Sequence, residues 1–292
     1  MTPLFEMSDS LITIIIPVYN GSRYICELLD SVLAQTESRW QCICVDDGST
    51  DGSPNILSQY SKKDPRISVA TQSNSSCGVA RNNALKLVKT KYVMFADQDD
   101  LLHPQSFEIA FRHAEKANAD CLCFGFSQFT DKPDFQHLNN DWNISYETKR
   151  QGLDLITGRR DSWTIFVWRH IFKTESVRSI PFPPISGGED QAWMTELSWK
   201  SLKWASISPS LYANRERPDS QSRGISIRYI DCIFSSYEWI RRRAEQYCID
   251  RKRLTHYIKH MAIMYVASVI YRSPRRTFYV LRKLRSCLFS ES

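Results

Sequence analysis

Three carboxylates within four positions, Asp97, Asp99 and Asp100, are the strongest chemical signal in the sequence. They follow an apolar run, residues 92–96, whose β-branched and aromatic side chains are typical of a buried strand. Hard divalent ions such as Mg²⁺ and Mn²⁺ bind oxygen ligands, and they commonly take one or two protein carboxylates together with substrate phosphates. The segment therefore predicts a site for a metal and a diphosphate, although a solvated acidic turn has the same composition.

Two further carboxylate pairs follow other predicted elements. Asp46 and Asp47 come after an apolar run, where a carboxylate could accept hydrogen bonds from the N–H groups of a nucleotide base. An Asx-type turn into the next helix is the alternative. Glu189 and Asp190 follow two glycines at a predicted helix start, where the helix dipole also favours acids. An aspartate there could act as the general base for an alcohol.

A turn, a glycine and Arg81 occur together in residues 74–82, at the start of another predicted helix. The helix amino terminus and the guanidinium group could both face a phosphate. A solvated arginine is the commoner state of such a residue, so both interpretations stay open at this point.

Strands and helices alternate through the part of the chain that carries these residues. Apolar runs predict strands over residues 11–16, 41–45, 67–71, 92–96 and 121–126, and helical spacing predicts helices over 22–35, 54–60, 78–89 and 106–118. Such alternation implies right-handed crossovers and a mostly parallel sheet flanked by helices, in which ligands bind at the carboxyl ends of the strands. Three of those ends carry the polar turns, which predicts one shared site.

After about residue 130 the alternation weakens. The pattern there predicts a strand over 163–172, a helix over 190–200 and basic helices from residue 227 onward. Residues 215–292 hold 17 Lys and Arg against 7 Asp and Glu, whereas the preceding residues hold 21 against 25. The sequence therefore predicts a division into residues 1–215 and a basic helical region, 216–292.

The compartment is predicted to be the cytoplasm. Residues 1–10 lack the basic segment of a secretory signal, and no apolar run reaches the roughly 20 residues that a spanning helix needs. The nine cysteines show no spacing typical of a zinc site, so buried reduced thiols are expected.

Taken in order, these segments resemble the motifs of the family 2 glycosyltransferases, which have the GT-A fold. The resemblance covers about residues 11–215 and rests on residues 17–20, 45–51, 78–82, 97–100, 167–172 and the pair at 189–190. It implies a nucleotide-sugar donor, most often a UDP-sugar, and inversion at the anomeric carbon. Direct displacement of this kind needs one base on the acceptor side and stabilisation of the leaving diphosphate.

The resemblance also implies a role for individual residues. Contacts with the nucleotide are expected from Pro17, Tyr19, Asn20, Asp46, Asp47, Arg81 and Asp97. Mn²⁺ or Mg²⁺ is expected at Asp97, Asp99 and Asp100, and Asp190 is expected to deprotonate the acceptor hydroxyl. Further contacts with donor or acceptor are expected from Trp168, Glu189, Arg215 and Arg217.

The Gln-x-x-Arg-Trp motif of processive members does not occur in the sequence. A non-processive enzyme of bacterial surface-polysaccharide synthesis, with a glycan or lipid-linked acceptor, is therefore expected. Two other classes stay open. A nucleotidyltransferase would carry a Gly-rich basic loop after the first strand, which residues 17–21 do not form. A non-catalytic protein could bind a nucleotide-sugar, or bind nucleic acid through its basic tail.

Apolar residues at helical spacing interrupt the basic clusters of the tail. This pattern fits an amphipathic helix on a membrane surface at least as well as a nucleic-acid contact. The sequence therefore predicts that residues 227–285 bind an anionic surface at the inner face of the cytoplasmic membrane, with an ordinary packed or solvated helical face as the open alternative. No nucleic-acid partner is expected.

Overall fold

A computed structural model of the chain describes residues 10–133, 135, 144–145, 165–217 and 226–289. These residues form two compact units. The first unit comprises the described residues of Met1–Arg150, Phe166–Pro181 and Leu202–Glu216. The second unit comprises the described residues of Gln151–Ile165, Phe182–Ser201 and Arg217–Ser292. Residues 182–201 thus lie in the second unit, whereas the sequence placed them in the first. The division into a domain of residues 1–215 and a helical region of residues 216–292 stays a prediction.

One mixed sheet forms the centre of the first unit. Its strands in chain order are β1 (Ile12–Val18), β2 (Trp40–Asp46), β3 (Ile67–Thr71), β4 (Tyr92–Phe95), β5 (Leu101–Leu102), β6 (Cys121–Phe129), β7 (Ile144–Ser145), β8 (His170–Lys173) and β9 (Trp204–Arg215). The order across the sheet is β3-β2-β1-β4-β8-β6-β9-β5, with β7 on β9. The first four are parallel neighbours, as predicted, and every residue of β1 is buried. The predicted α/β architecture, a central sheet flanked by helices, is confirmed.

Antiparallel pairing enters the sheet at β8, which lies between β4 and β6. The predicted strand at 163–172 was only partly right: residues 167–169 form a 3-10 turn, the strand begins at His170, and residues 163–164 lie outside the described residues. The sequence missed β5, β7 and β9. β9 escaped detection because serines and Pro209 interrupt its apolar pattern, and its pairing with β6 shifts register around Gly125.

Helices flank the sheet and build the second unit. Those of the first unit are α1 (Ile25–Leu33), α2 (Ser53–Lys63), α3 (Cys77–Leu85), α4 (Ser106–Ala117) and α5 (Thr174–Val177). Those of the second unit are α6 (Glu189–Ser198), α7 (Ile227–Gln246), α8 (Arg251–Arg272) and α9 (Thr277–Phe289). The predicted helices at 22–35, 54–60, 78–89, 106–118 and 190–200 are confirmed, with shifts at their ends. None of the helices in the described part is long and apolar enough to cross a membrane.

Candidate active site

The turn after β1 is fixed to the turn after β2. Asn20 has φ 49°, in the left-handed region that asparagine tolerates better than most residues. Its side-chain oxygen accepts a hydrogen bond of 2.8 Å from the backbone N–H of Thr50, and its own N–H donates to Ser49 Oγ at 3.0 Å. Register places Val18 opposite Asp46, so the two strand ends are neighbours. Asn20 therefore joins the turn after β1 to the turn after β2 by hydrogen bonds.

The carboxylates of Asp46 and Asp47 are almost fully buried at the end of β2. Asp46 Oδ1 accepts from the N–H of Ser49 at 3.0 Å. Asp47 Oδ1 accepts from Gln72 Nε2 at 2.7 Å and from the N–H of Ser75 at 2.9 Å. The Asx turn into the next helix is made by Asp51, whose Oδ1 accepts from the N–H of Ser53 at 2.9 Å, while Asp47 is held by the segment after β3.

Gln98 connects the turn after β1 to the acidic segment after β4. Its Oε1 accepts from the N–H of Tyr19 at 2.8 Å, and its Nε2 donates to the Tyr19 carbonyl at 3.0 Å. A Cβ atom on Gly21 would lie 2.4 Å from Gln98 Oε1, so a larger residue there would displace this amide group. The Tyr19 side chain is 48% exposed while its backbone is fixed, which leaves the ring available to a ligand.

Arg81 on α3 is buried and paired with Asp97. One guanidinium nitrogen lies 2.8 Å from Asp97 Oδ1, and the side chains of Arg81 and Asp97 are 2% and 36% exposed. The solvated arginine considered as an alternative is therefore excluded. The ion pair fixes Asp97 while part of its carboxylate still faces solvent.

Asp100 differs from its neighbours because its carboxylate faces the protein interior. It is 1% exposed and accepts hydrogen bonds from the Tyr212 hydroxyl at 2.7 Å, Asn214 Nδ2 at 3.2 Å and the N–H of Arg215 at 2.7 Å. Burial, followed by the negative charges of Asp99 and Asp97, raises the pKa of Asp100 well above its ordinary value. This geometry favours a positioning role for Asp100 over the metal-ligand role expected from the sequence.

The Tyr212 hydroxyl also accepts a 3.1 Å hydrogen bond from the N–H of Asp97, so it links both ends of the acidic segment. Trp168, which was expected to contact donor or acceptor, is instead buried and stacked on the Tyr212 ring with centroids 4.8 Å apart. The end of β9 therefore contacts the acidic segment directly, and the turn before β8 packs against β9 through Trp168.

Arg215 holds the same segment from its other side. Its Nε donates to the Asp99 carbonyl at 2.8 Å, and its NH2 pairs with Glu27 at 2.8 Å. The guanidinium carbon lies 5.0 Å and 4.5 Å from the ring centroids of Tyr24 and Phe129. Arg215, predicted as a ligand contact, is thus largely engaged within the protein.

The second unit contains the remaining predicted residues, Glu189, Asp190 and Arg217. Glu189 and Asp190 are half-buried in the first turn of α6, after two glycines in the left-handed region of φ. Burial, and then the negative charges of these two carboxylates, raise the pKa of Tyr229 to about 12. A Cβ atom on Gly187 would lie 2.9 Å from the Tyr229 ring, so the glycine allows α7 to pack against this turn.

The helix that carries Asp190 is anchored by a buried glutamate. Glu196, 1% exposed, pairs with Arg243 and accepts a 2.9 Å hydrogen bond from the Tyr247 hydroxyl. Thr195 Oγ1 lies 2.9 Å from the Tyr257 hydroxyl. These contacts fix α6 against α7 and α8, which gives Asp190 a rigid support.

A divalent ion fits the first unit only if a substrate supplies part of its ligands. No group of three or more His, Cys, Asp or Glu side chains among the described residues could hold a metal. An ion that also binds a diphosphate needs only one or two protein carboxylates. Asp97 and Asp99 meet that need, because both are half-buried oxygen donors on a segment that Gln98, Tyr212 and Arg215 hold in place.

Comparison with known proteins identifies the family. The pattern of Glycosyl transferase family 2 matches residues 13–174, more than half of the chain. The chain belongs to this family. It is 28% identical over 221 residues to glycosyltransferase GlyA of Streptococcus pneumoniae, covering 74% of the chain and 32% of that protein. It is 38% identical over 206 residues to the poly(ribitol-phosphate) beta-glucosyltransferase of Bacillus spizizenii, covering 66% of the chain and 30% of that protein. The chain thus spans about a third of the length of these two relatives.

Solved structures show the same fold. The structure of S. aureus TarS 1-349 in complex with UDP-GlcNAc superposes with a TM-score of 0.71, at 18% sequence identity, over 95% of this chain and 81% of that one.

Several supporting residues of this family 2 glycosyltransferase were not predicted: Gln72, Ser75, Gln98, Tyr212 and Asn214. Gln98 lies inside the acidic segment, so its position was a usable signal. Tyr212 and Asn214 lie on β9, more than a hundred residues from Asp100, and no local pattern connects them.

Proposed function

We propose that the protein is an inverting glycosyltransferase that moves a sugar from a nucleotide-sugar to a hydroxyl group of a glycan or lipid-linked acceptor, in bacterial surface-polysaccharide synthesis. The observation that carries the proposal is the convergence of three strand ends, those of β1, β2 and β4, on one edge of the sheet. Family membership supports transfer from a nucleotide-sugar. The fold shared with TarS, whose structure contains UDP-GlcNAc, supports a UDP-sugar as the donor. The poly(ribitol-phosphate) beta-glucosyltransferase relative supports a surface glycan as the acceptor.

The donor nucleotide would bind across the turns after β1 and β2. Tyr19 offers an exposed ring, and Asp47 offers a carboxylate held in place by Gln72 and Ser75. A rigid carboxylate can accept hydrogen bonds from a base N–H group without the entropy cost of ordering a side chain on binding. Pro17 and Asp46 lie at the paired ends of the same two strands.

Asp97 and Asp99 would hold Mn²⁺ or Mg²⁺ together with the donor diphosphate. The ion, when bound, would stabilise negative charge on the departing phosphate. Arg81 contributes by fixing Asp97, since the 2.8 Å ion pair leaves that carboxylate little freedom to turn away. Asp100, Tyr212 and Arg215 contribute by holding the backbone of the acidic segment.

Asp190 would act as the base. In the displacement, the acceptor oxygen forms a bond to the anomeric carbon, the bond from that carbon to the phosphate oxygen breaks, and the hydroxyl proton passes to the carboxylate. The nucleoside diphosphate leaves with the bonding electron pair. A carboxylate on a rigid helix start suits this role because general-base catalysis depends on position before pKa. A lipid-linked acceptor would place the reaction at the inner face of the cytoplasmic membrane.

The test is donor turnover by the full chain with a panel of UDP-, GDP- and dTDP-sugars, with Mn²⁺, Mg²⁺ or a chelator. We expect nucleoside diphosphate release from a UDP-sugar that requires a divalent ion, and transfer with inverted anomeric configuration when an acceptor is added. Asp99→Asn should abolish turnover while circular dichroism stays unchanged, and Asp120→Asn, a carboxylate change just before β6, is the matched control. Asp99→Asn that is fully active in excess chelator would refute the metal assignment. Pyrophosphate release from a nucleoside triphosphate would indicate a nucleotidyltransferase instead.

A further inference from the structure

Helices α8 and α9 expose large apolar side chains. Tyr271 and Phe278 are 89% and 82% exposed, and Met264, Ile263 and Leu281 are 57%, 51% and 45% exposed. Among the described residues, nine large apolar residues are at least 37% exposed, and five of them lie within the 19 residues from 263 to 281. Single exposed apolar residues are ordinary on a soluble protein, but a concentration of them marks an interaction surface.

The same two helices are strongly basic. Residues 251–285 contain ten Lys or Arg and no Asp or Glu. Eight of the ten are exposed: Arg251, Lys252, Arg253, Lys259, Arg272, Arg275, Arg282 and Arg285. Lys283 is half-buried and pairs with an acid, since its Nζ lies 2.7 Å from Asp231 on α7.

Basic residues of α7 have a different function. Arg243 pairs with the buried Glu196, and Arg241 donates a 2.6 Å hydrogen bond to the Cys287 carbonyl. Two of the three arginines at 241–243 thus hold helices of the second unit together. Within the region 227–285, exposed apolar and exposed basic side chains therefore occur together mainly on α8 and α9.

Apolar and basic side chains share one side of each helix. In α8, Lys259, Ile263 and Tyr271 are separated by multiples of four residues, and all three are exposed. In α9, Phe278, Arg282 and Arg285 follow at intervals of four and three, and all three are exposed. Other positions are buried: Leu254, Ile258, Val266 and Val269 in α8, and Val280 and Cys287 in α9.

We propose that this exposed side of α8 and α9, the α8–α9 face, docks on an anionic lipid bilayer. Lipid phosphates would neutralise the arginines and lysines, and Tyr271 and Phe278 would enter the boundary between headgroups and acyl chains. A second copy of the chain fits less well, because a two-fold contact would place one basic face against another. Nucleic acid would match the charge but would leave the exposed apolar side chains without an apolar partner. The inference goes beyond the proposed reaction, since it would hold for any activity of the chain.

The test is co-sedimentation of the full chain with vesicles of phosphatidylcholine alone and of phosphatidylcholine mixed with phosphatidylglycerol. We expect strong binding to the anionic vesicles at low salt, little to the neutral ones, and a fall in binding as added salt shortens the Debye length. Equal sedimentation with both vesicles, or none with either, would overturn the proposal.

Two pairs of substitutions separate the contributions of charge and of apolar insertion. Arg282→Gln with Arg285→Gln should weaken partitioning about 30-fold, which corresponds to about 1 kcal/mol for each charge. Tyr271→Ser with Phe278→Ser should weaken it about tenfold or more, because two large apolar groups lose their burial.

The control is Lys62→Gln with Lys89→Gln, which removes two exposed charges from the first unit. It should leave partitioning within about twofold of the unchanged chain, since these lysines lie outside the α8–α9 face. Equal losses from the control and the α8–α9 variants would show a general charge effect and overturn the assignment. Donor hydrolysis without vesicles should be the same in all these variants, which keeps failure of this inference distinct from failure of the proposed reaction.

Discussion

Removal of one hydroxyl group, in Tyr212→Phe, should loosen the acidic segment without creating a cavity. The hydroxyl donates to Asp100 at 2.7 Å and accepts from the N–H of Asp97 at 3.1 Å, while the ring stays stacked on Trp168. A hydrogen bond to a charged group contributes about 1.5–3 kcal/mol, and loss of the bond from the part-buried N–H of Asp97 costs about 0.5–1 kcal/mol more. We therefore expect a loss of roughly 2–4 kcal/mol in the free energy of unfolding.

The same substitution at Tyr92 is the matched control. The Tyr92 hydroxyl also donates to a carboxylate, Glu115 at 2.6 Å, but it lies on the first residue of β4 and its partner is partly exposed. Tyr92→Phe should cost about 1 kcal/mol and leave donor binding unchanged. Urea unfolding and calorimetric titration of UDP with Mn²⁺ would measure both effects. The reasoning would be refuted if Tyr212→Phe resembled Tyr92→Phe in stability and in UDP affinity.

Three further predictions concern the base, the fold and the donor turn. Asp190→Asn should reduce transfer, measured with a radiolabelled sugar, by about two to four orders of magnitude with little change in donor affinity. An active Asp190→Asn variant beside an inactive Glu189→Gln variant would show that Glu189, and not Asp190, is the base. Burial lowers the pKa of His170 from 6.5 to about 3, so the folded state binds fewer protons than the unfolded state below pH 6.5. The free energy of unfolding should therefore fall by about 2 kcal/mol between pH 7 and pH 5, and His170→Gln should flatten that slope in urea titrations. Gln98→Ala should raise the KM for the donor more than it lowers kcat, because the two hydrogen bonds to Tyr19 shape a binding turn; steady-state kinetics with an unchanged KM would count against this.

Much of the first unit was predictable because its signals are local. The apolar runs of β1, β2 and β4 end in polar turns, and parallel pairing brings those ends to one edge. Asp97 and Asp47 therefore lie on the edge where the sequence placed them.

The roles within the site were less predictable, because they depend on contacts between distant segments. Asp99 and Asp100 are adjacent in the chain, yet only the Asp100 carboxylate faces the interior, because residues of β9 donate hydrogen bonds to it. The sequence did not predict β9, since its apolar pattern is interrupted. Arg215 and Trp168, which the sequence offered as ligand contacts, instead contact the acidic segment and its support Tyr212 inside the protein. Arg243 lies in a basic cluster of the tail, but the acid that pairs with it, Glu196, lies on another helix, so no local pattern shows the pair.

The central claim, that the ends of β1, β2 and β4 form one donor site, is tested most directly by crystallography of the full chain with UDP and Mn²⁺. An anomalous difference map at the manganese edge should show one ion bound by Asp97 or Asp99 and by both phosphates, with the base against the turn at Asp46 and Asp47. Ordered UDP bound elsewhere on the chain, or a manganese ion bound away from the segment after β4, would contradict the account.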